Sequence, residues 1–238
     1  MNNDLIAVIG AMECEILKFK SLLKNIEEIK YGQFTFFKGE FYGKNIVIAK
    51  SGVGKVAGAI CTQIIIDRFN PSLIINTGVA GGLGKDIKVG DIVIAEKLVQ
   101  HDFDATVLGY AKGYICNGIN PKEPTYFYSD KNLTEKIKSI ISKETFDLNF
   151  HFGTVASGDM FVSNVEKKEE IKKLFGAYAV EMEGAAIAQT AVLNNIPFIV
   201  LRAVSDNADS SDIDKYQITE SDIAEISANV VQNLIKNI

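Results

Sequence analysis

The stretch Asp4-Leu-Ile-Ala-Val-Ile-Gly-Ala-Met-Glu-Cys-Glu-Ile-Leu-Lys-Phe-Lys-Ser-Leu-Leu23 decides the fold. Leu5 to Ile9 is an unbroken apolar run, too short for a core helix, and predicts a buried strand. Ile16, Phe19 and Leu23 then recur at helical spacing. A buried strand feeding directly into a helix is the opening of an α/β unit. The alternation continues. Phe34 to Phe41 and Asn45 to Lys50 predict an antiparallel pair turning near Gly43, and Val56 to Phe69 a helix that Asn70-Pro71 ends. Leu73 to Asn76 predicts a central strand, Asp91 to Ala95 another, and Phe150 to Ala156 a third. Leu133 to Ile141 and Val165 to Phe175 predict helices, the second a charged surface one. Ile223, Ile226, Val230 and Leu234 mark the inner face of a last helix with Thr219 or Ser221 as its N-cap. Residues 108 to 128 have no period and predict a long loop, a place where function concentrates. With no repeat and no linker, residues 1–238 predict one α/β domain, its central sheet mixed but mostly parallel and flanked by helices.

Composition narrows the classes. A chain of 238 residues, 47% hydrophobic and 23% charged, has the makeup of a soluble globular protein. Its net charge of -5 argues against a nucleic-acid partner. No apolar run approaches a membrane span, and none carries the basic lead of a signal peptide. The three scattered cysteines, Cys14, Cys61 and Cys116, point to the cytoplasm rather than to a disulfide framework. With only His101 and His151 beside them, no zinc site is expected.

Three acids interrupt otherwise apolar positions. At 100° per residue, Phe19 and Leu22 lie within about 40° of Glu15, while Glu13 points nearly opposite. Glu15 therefore shares the core stripe and Glu13 faces water. Glu183 opens the apolar helix in Val180-Glu-Met-Glu-Gly-Ala-Ala-Ile-Ala-Gln189, and Asp206 ends the run Phe198-Ile-Val-Leu-Arg-Ala-Val-Ser-Asp206. Each has a plain structural reading: first-turn acids favouring the helix dipole, and a cap for the loop Asn207 to Ser211. Yet burying an unpaired carboxylate is costly, and all three sit at strand-to-helix or strand-to-loop junctions where α/β sites form. They predict one polar pocket.

Two glycine-rich segments follow strands. Ser51-Gly-Val-Gly-Lys-Val-Ala57 fits the loose pattern G-x-G-x-x-A of dinucleotide sites but lacks the acid about twenty residues on, and it is not a phosphate-binding Walker loop. Gly78-Val-Ala-Gly-Gly-Leu-Gly84 reads either as a tight turn or as backbone amides held close to a ligand.

The segments Ile9-Gly-Ala-Met-Glu-Cys-Glu15, Ser51-Gly-Val-Gly-Lys-Val56, Asn76-Thr-Gly-Val-Ala-Gly-Gly82, Val89-Gly-Asp-Ile-Val93, Ser157-Gly-Asp159, Val180-Glu-Met-Glu183 and Arg202-Ala-Val-Ser-Asp206 occur in this order. Together they resemble the 5′-methylthioadenosine/S-adenosylhomocysteine nucleosidases of the purine nucleoside phosphorylase superfamily, from about residue 5 to the C-terminus. The resemblance implies a nucleoside phosphorylase-like fold and hydrolysis of the N-glycosidic bond of methylthioadenosine, adenosylhomocysteine and 5′-deoxyadenosine, with no cofactor. It puts Asp206, assisted by Ser205, at the general-acid position and Glu15 at the position that activates water. It implies that Glu183 binds the ribose hydroxyls, Met182 packs on the sugar, Phe161 stacks on adenine and the Val162 backbone reads the base edge. Gly81 would close the ribose side, and Arg202 would help orient the site. It also implies a homodimer in which the loop near Leu108 borders the partner's site.

Two departures stand out: Val79 where many relatives carry a ligand-contacting serine, and Leu108 for the phenylalanine of a Phe-Gly-Tyr loop. A phosphorylase on the same fold, a futalosine hydrolase and a dinucleotide-binding protein remain as alternatives. A phosphorylase needs several cations around phosphate, and this chain has only Arg68 and Arg202 as arginines.

Overall fold

Strands that are apolar on both faces must be covered on both faces, and this sheet is. In the computed structural model, which describes residues 4–116, 119–144, 146–208 and 213–238 (backbone alone for 213–220), the chain opens with β1 (Ile6–Gly10) and α1 (Glu13–Leu22). Next come β2 (Lys24–Tyr31), β3 (Phe34–Phe41), β4 (Lys44–Lys50), α2 (Lys55–Phe69), β5 (Leu73–Gly82) and β6 (Ile92–Gln100). A 3-10 turn at Thr106–Leu108 and β7 (Phe127–Tyr128) bound the long loop. The chain closes with α3 (Lys131–Lys143), β8 (Phe150–Ser157), α4 (Val165–Phe175), β9 (Ala177–Glu181), α5 (Gly184–Leu193), β10 (Phe198–Asp206) and α6 (Ile213–Asn237).

Period-two alternation sorts the core onto two sides. Ile6 and Val8 of β1 join Ile46, Ile48 and Ile75 against Ile16 and Phe19 of α1 and Val230 and Leu234 of α6. Ala7 and Ile9 face the other way, with Val47, Ile74, Ile65 of α2 and Ile187 of α5. Each fully buried isoleucine or leucine contributes about 1.5–3 kcal/mol. Asn70 ends α2 in the left-handed region, φ 46°, its amide bonded to the Ile66 carbonyl, and Pro71 prevents continuation.

The sheet is mixed. Strands run in the order β10-β6-β8-β9-β5-β1-β4-β3-β2, and β10 also pairs with β5, so five strands close into a ring. The centre, β4-β1-β5-β10, is parallel. The ring is closed by antiparallel pairs β10–β6 and β5–β9, and β3 joins β4 and β2 antiparallel. Of ten pairings among the described residues, half are antiparallel, more than the strand–helix alternation led one to expect.

Three local expectations change. Gly78 to Gly82 is not a turn: β5 runs through it, and Gly81 and Gly82 pair with Val180 and Ala179. β2 has no counterpart in the sequence reading, because its charged residues hide the period. Thr219 and Ser221 lie inside α6, which starts at Ile213, so neither is its N-cap. Residues 209–211 of the loop after Asp206, and Asn117 and Gly118 of the long loop, lie outside the described residues. No helix among the described residues is long and apolar enough to cross a membrane.

Candidate active site

Six strands bring their C-terminal ends to one cavity of about 230 Å³. Ala11, Met12 and Glu15 reach it from the β1–α1 junction and Val53 from the turn after β4. Val79, Ala80 and Gly81 come from β5, and Met160, Phe161 and Val162 from the segment after β8. Glu181, Met182 and Glu183 bridge β9 and α5, and Ser205 and Asp206 end β10. Eight of the nine residues singled out from the sequence line it. The ninth, Arg202, lies wholly buried behind its wall.

Glu15 is the third residue of α1. Its Oε2 accepts the amides of Ala11 (2.6 Å) and Met12 (3.0 Å), so it does cap its own helix. Its Oε1 accepts the amide of Val79 on β5 at 3.0 Å, and that tie across the cavity wall is more than capping requires. Burial pushes its carboxyl above the ordinary carboxylate range, with Arg202 and the three amides opposing. Gly78 makes this approach possible: a Cβ there would collide with Glu15 Oε1 and lie 3.2 Å from Arg202 Nη1. Glu13 is exposed and pairs with Lys50 at 3.3 Å, as the helical phase requires.

Glu183 is the N-cap residue of α5, yet it makes no side-chain cap. Glu181 does that instead: its Oε2 accepts the amides of Glu183 (3.0 Å) and Gly184 (2.8 Å), and Ser157 Oγ accepts that of Ala185 (2.7 Å). The Glu183 side chain is thereby released toward the cavity, held by the Gly54 amide at 2.8 Å. Burial, then the negative charge of Glu181, lifts its carboxyl to about 8.

Arg202 Nη2 binds Glu181 Oε2 at 2.5 Å and Asn76 Oδ1 at 2.6 Å. Burial would raise the Glu181 carboxyl, but Arg202, together with the hydroxyl of Ser157 and the Gly184 amide, holds it below its usual range. Glu181 is the residue that the sequence reading missed. Two signals pointed to it. A buried arginine needs a counterion, and the amides opening an apolar helix need an acceptor.

Asp206 Oδ2 accepts the hydroxyl of Ser205 at 2.8 Å, and Oδ1 accepts the amide of Ala208 at 2.7 Å. The loop-cap reading is thus realised at Ala208, within a cavity-lining position. A Cβ on Gly81 would lie 3.0 Å from Asp206 Oδ1 and 2.9 Å from the Cβ of Ala208, so only glycine fits without displacement. Phe161 stands half-exposed at the mouth, while Val162 is buried. Leu108 is away from this cavity and 70% exposed.

The glycine turn after β4, which loosely fits a dinucleotide pattern, does not hold its amides free for a ligand. Gly52 and Gly54 have φ of 82° and 99°, but the amides of Gly54 and Lys55 are already given to Glu183 and Asp159. Arg68, the other arginine, stacks on Tyr31 at 4.3 Å, outside the cavity.

The family model described as "Phosphorylase superfamily" matches residues 5–238. A 5′-methylthioadenosine/S-adenosylhomocysteine nucleosidase of Staphylococcus haemolyticus is 41% identical over 233 residues, 98% of this chain and 99% of that one. The crystal structure of the Neisseria meningitidis nucleosidase of the same name, in complex with methylthio-immucillin-A, superposes with a TM-score of 0.92 at 41% identity, covering 99% and 100% of the two chains. A Helicobacter pylori structure described as futalosine hydrolase follows at 0.91 and 32%, covering 99% of each. Fold, cavity and this likeness over nearly the whole length agree, and the chain belongs to the phosphorylase superfamily, within its 5′-methylthioadenosine/S-adenosylhomocysteine nucleosidases.

Proposed function

We propose that this chain hydrolyses the N-glycosidic bond of 5′-methylthioadenosine and S-adenosylhomocysteine, and of 5′-deoxyadenosine, releasing adenine and the free sugar. The observation that carries the reading is the placement of two carboxylates against one strand. Glu15 is bound at Val79 and Asp206 lies against Gly81. Two residues of β5 separate these points by about 7 Å. That spacing suits an acid and a base on either side of the sugar with a water between, the inverting arrangement.

Adenine departs easily only as a neutral base. Asp206, oriented by Ser205, gives a proton to N7 as the C1′–N9 bond breaks. A water attacks C1′ and passes its proton to Glu15, whose upward-shifted carboxyl makes it a stronger base than an exposed one. Arg202, from behind, limits that shift and fixes the geometry. Glu183 accepts the ribose hydroxyls, Met182 packs on the sugar and Gly81 closes that side. Phe161 stacks on adenine while the backbone of Val162 reads its edge. Acid, base and water suffice, and no cofactor enters.

All 238 residues act as one nucleosidase domain in the cytoplasm. The working unit is a homodimer, supported by Val107 and Leu108, 93% and 70% exposed on the single chain. Neither nucleic acid nor membrane is a partner. The test is adenine release from methylthioadenosine in phosphate-free buffer, with 5-methylthioribose as the co-product. A requirement for phosphate, with a sugar 1-phosphate as product, would make the chain a phosphorylase. Because structures described as futalosine hydrolase align as well, futalosine belongs in the same assay as a competing substrate.

A further inference from the structure

The segment Gly52 to Ala57 was singled out by its glycines, and the reaction above gives it no role. Its contacts are specific. The amide of Lys55 donates to Asp159 Oδ1 at 2.8 Å, the amide of Asp159 donates to Asp102 Oδ2 at 2.9 Å, and Lys55 Nζ returns to Asp102 Oδ1 at 2.6 Å. Three residues from three different junctions thus close a ring of hydrogen bonds. None of the three lines the cavity.

The ring borders both halves of the substrate site. One residue before Lys55, Gly54 donates its amide to Glu183. One residue after Asp159 begins Met160-Phe161-Val162, on the cavity wall where adenine is placed. Lys55 Nζ also reaches Gln100 Oε1 at 3.2 Å, and Gln100 Nε2 reaches Gln189 Oε1 on α5 at 2.7 Å. The helix that carries Glu183 at its start is therefore held a second time, further along. There is little slack: a Cβ on Gly54 would lie 3.1 Å from Asp159 Oδ1, and one on Gly158 would collide with His101 and lie 3.0 Å from the Asp102 carboxyl carbon.

We propose that Lys55, Asp102 and Asp159 are positioning residues that set the spacing between the adenine-binding segment at 160–162 and the ribose-binding carboxylate of Glu183. The ring acts on nucleoside recognition and not on Glu15 or Asp206, which are anchored elsewhere, to Val79 and to Ala208. This inference rests on the nucleosidase reading of the cavity.

The experiment compares wild type with Lys55→Met, Asp102→Asn and the double variant in steady-state methylthioadenosine hydrolysis. Each single variant is expected to raise KM about tenfold with kcat within about threefold, and the double variant to be no worse than the poorer single one. A fold used only for stability would lower Tm without moving KM. Hydrogen exchange supplies a readout independent of turnover: Lys55→Met should speed exchange at 52–55 and at 159–162 together, leaving 12–16 unchanged. KM within twofold of wild type in both single variants overturns the proposal, as do effects that multiply in the double variant. If wild type releases no adenine, the nucleosidase reading falls. Unchanged exchange at 159–162 in Lys55→Met would then overturn the ring as a positioning device as well.

Discussion

Glu15 and Asp206 are both buried carboxylates, but among the described residues three backbone amides bind the first, whereas one amide and one hydroxyl bind the second. Asp206→Asn keeps the shape and loses the transferable proton, so kcat for adenine release should fall by at least about 10²-fold, and Glu15→Gln should do similar damage. Glu13→Gln should stay close to wild type, because its exposed side chain pairs with Lys50 in the solvent. Equal activity of the Glu13 and Glu15 variants would remove Glu15 from the mechanism. The phase of one helix made this pair legible in the sequence. For Glu181 the sequence held the need, a counterion for Arg202 and an acceptor for the amides opening α5, but which carboxylate meets it depends on where Arg202 and Ser157 arrive from distant strands. His101 is wholly buried, and among the described residues neither of its ring nitrogens finds a hydrogen-bond partner. Burial lowers its proton affinity, with Asp102 opposing. Below the unfolded value of 6.5 the unfolded chain gains a proton that the folded one resists, so stability is lost as pH falls. Glu183 acts in the opposite direction. Its folded value is raised from 4.5 to about 8, so its contribution is complete below 4.5 and lost as pH rises through 8. The two contributions therefore oppose each other between about pH 5 and 6.5, and above that the Glu183 loss runs on alone to about 8. Relative to wild type, Glu183→Gln should gain melting temperature steadily as pH rises from 5 to 8, and His101→Gln should lose less as pH falls below 6.5; thermal scans from pH 5 to 9 decide it.

At the scale of elements, the strands and helices with a clean period were readable, and the failures share one cause. A strand is recognised by what its side chains do, and Gly78 to Gly82 has few side chains to show. β5 keeps its strand geometry there because small residues are what its neighbours permit: Glu15 and Arg202 close in at Gly78, Asp206 and Ala208 at Gly81, and Val204 and Ile87 at Gly82. Gly78→Ala should accordingly fold, with an unchanged far-UV spectrum, yet lose about 10²-fold or more in kcat, since displacing a catalytic group by 1 Å has that effect. Activity near wild type would mean that Glu15 can shift without consequence. Antiparallel closure of the ring was likewise invisible, because periodicity reports which residues are buried and says nothing of strand direction.

For the whole molecule, Val107 and Leu108 stand in solvent on the single chain, away from the cavity. If the homodimer buries them, Leu108→Asp should weaken association, seen as a shift toward monomer in sedimentation, and should lower activity at the same concentration. A fully active wild-type monomer would refute the arrangement. The ring has a consequence of another kind. Because β10 is paired on both sides, the sheet keeps one long unpaired margin among the described residues, that of β2. A free strand margin recruits other chains, and a flat apolar one nucleates fibrils. β2 reads Lys-Asn-Ile-Glu-Glu-Ile-Lys-Tyr and is solvent-exposed along nearly all its length. Its lysines and glutamates make it a poor template for an incoming strand, which explains why so polar a segment is kept in the sheet. Replacing Glu27 and Glu28 by valine should leave adenine release intact in fresh protein and bring on concentration-dependent aggregation, followed by light scattering, that the parent chain does not show.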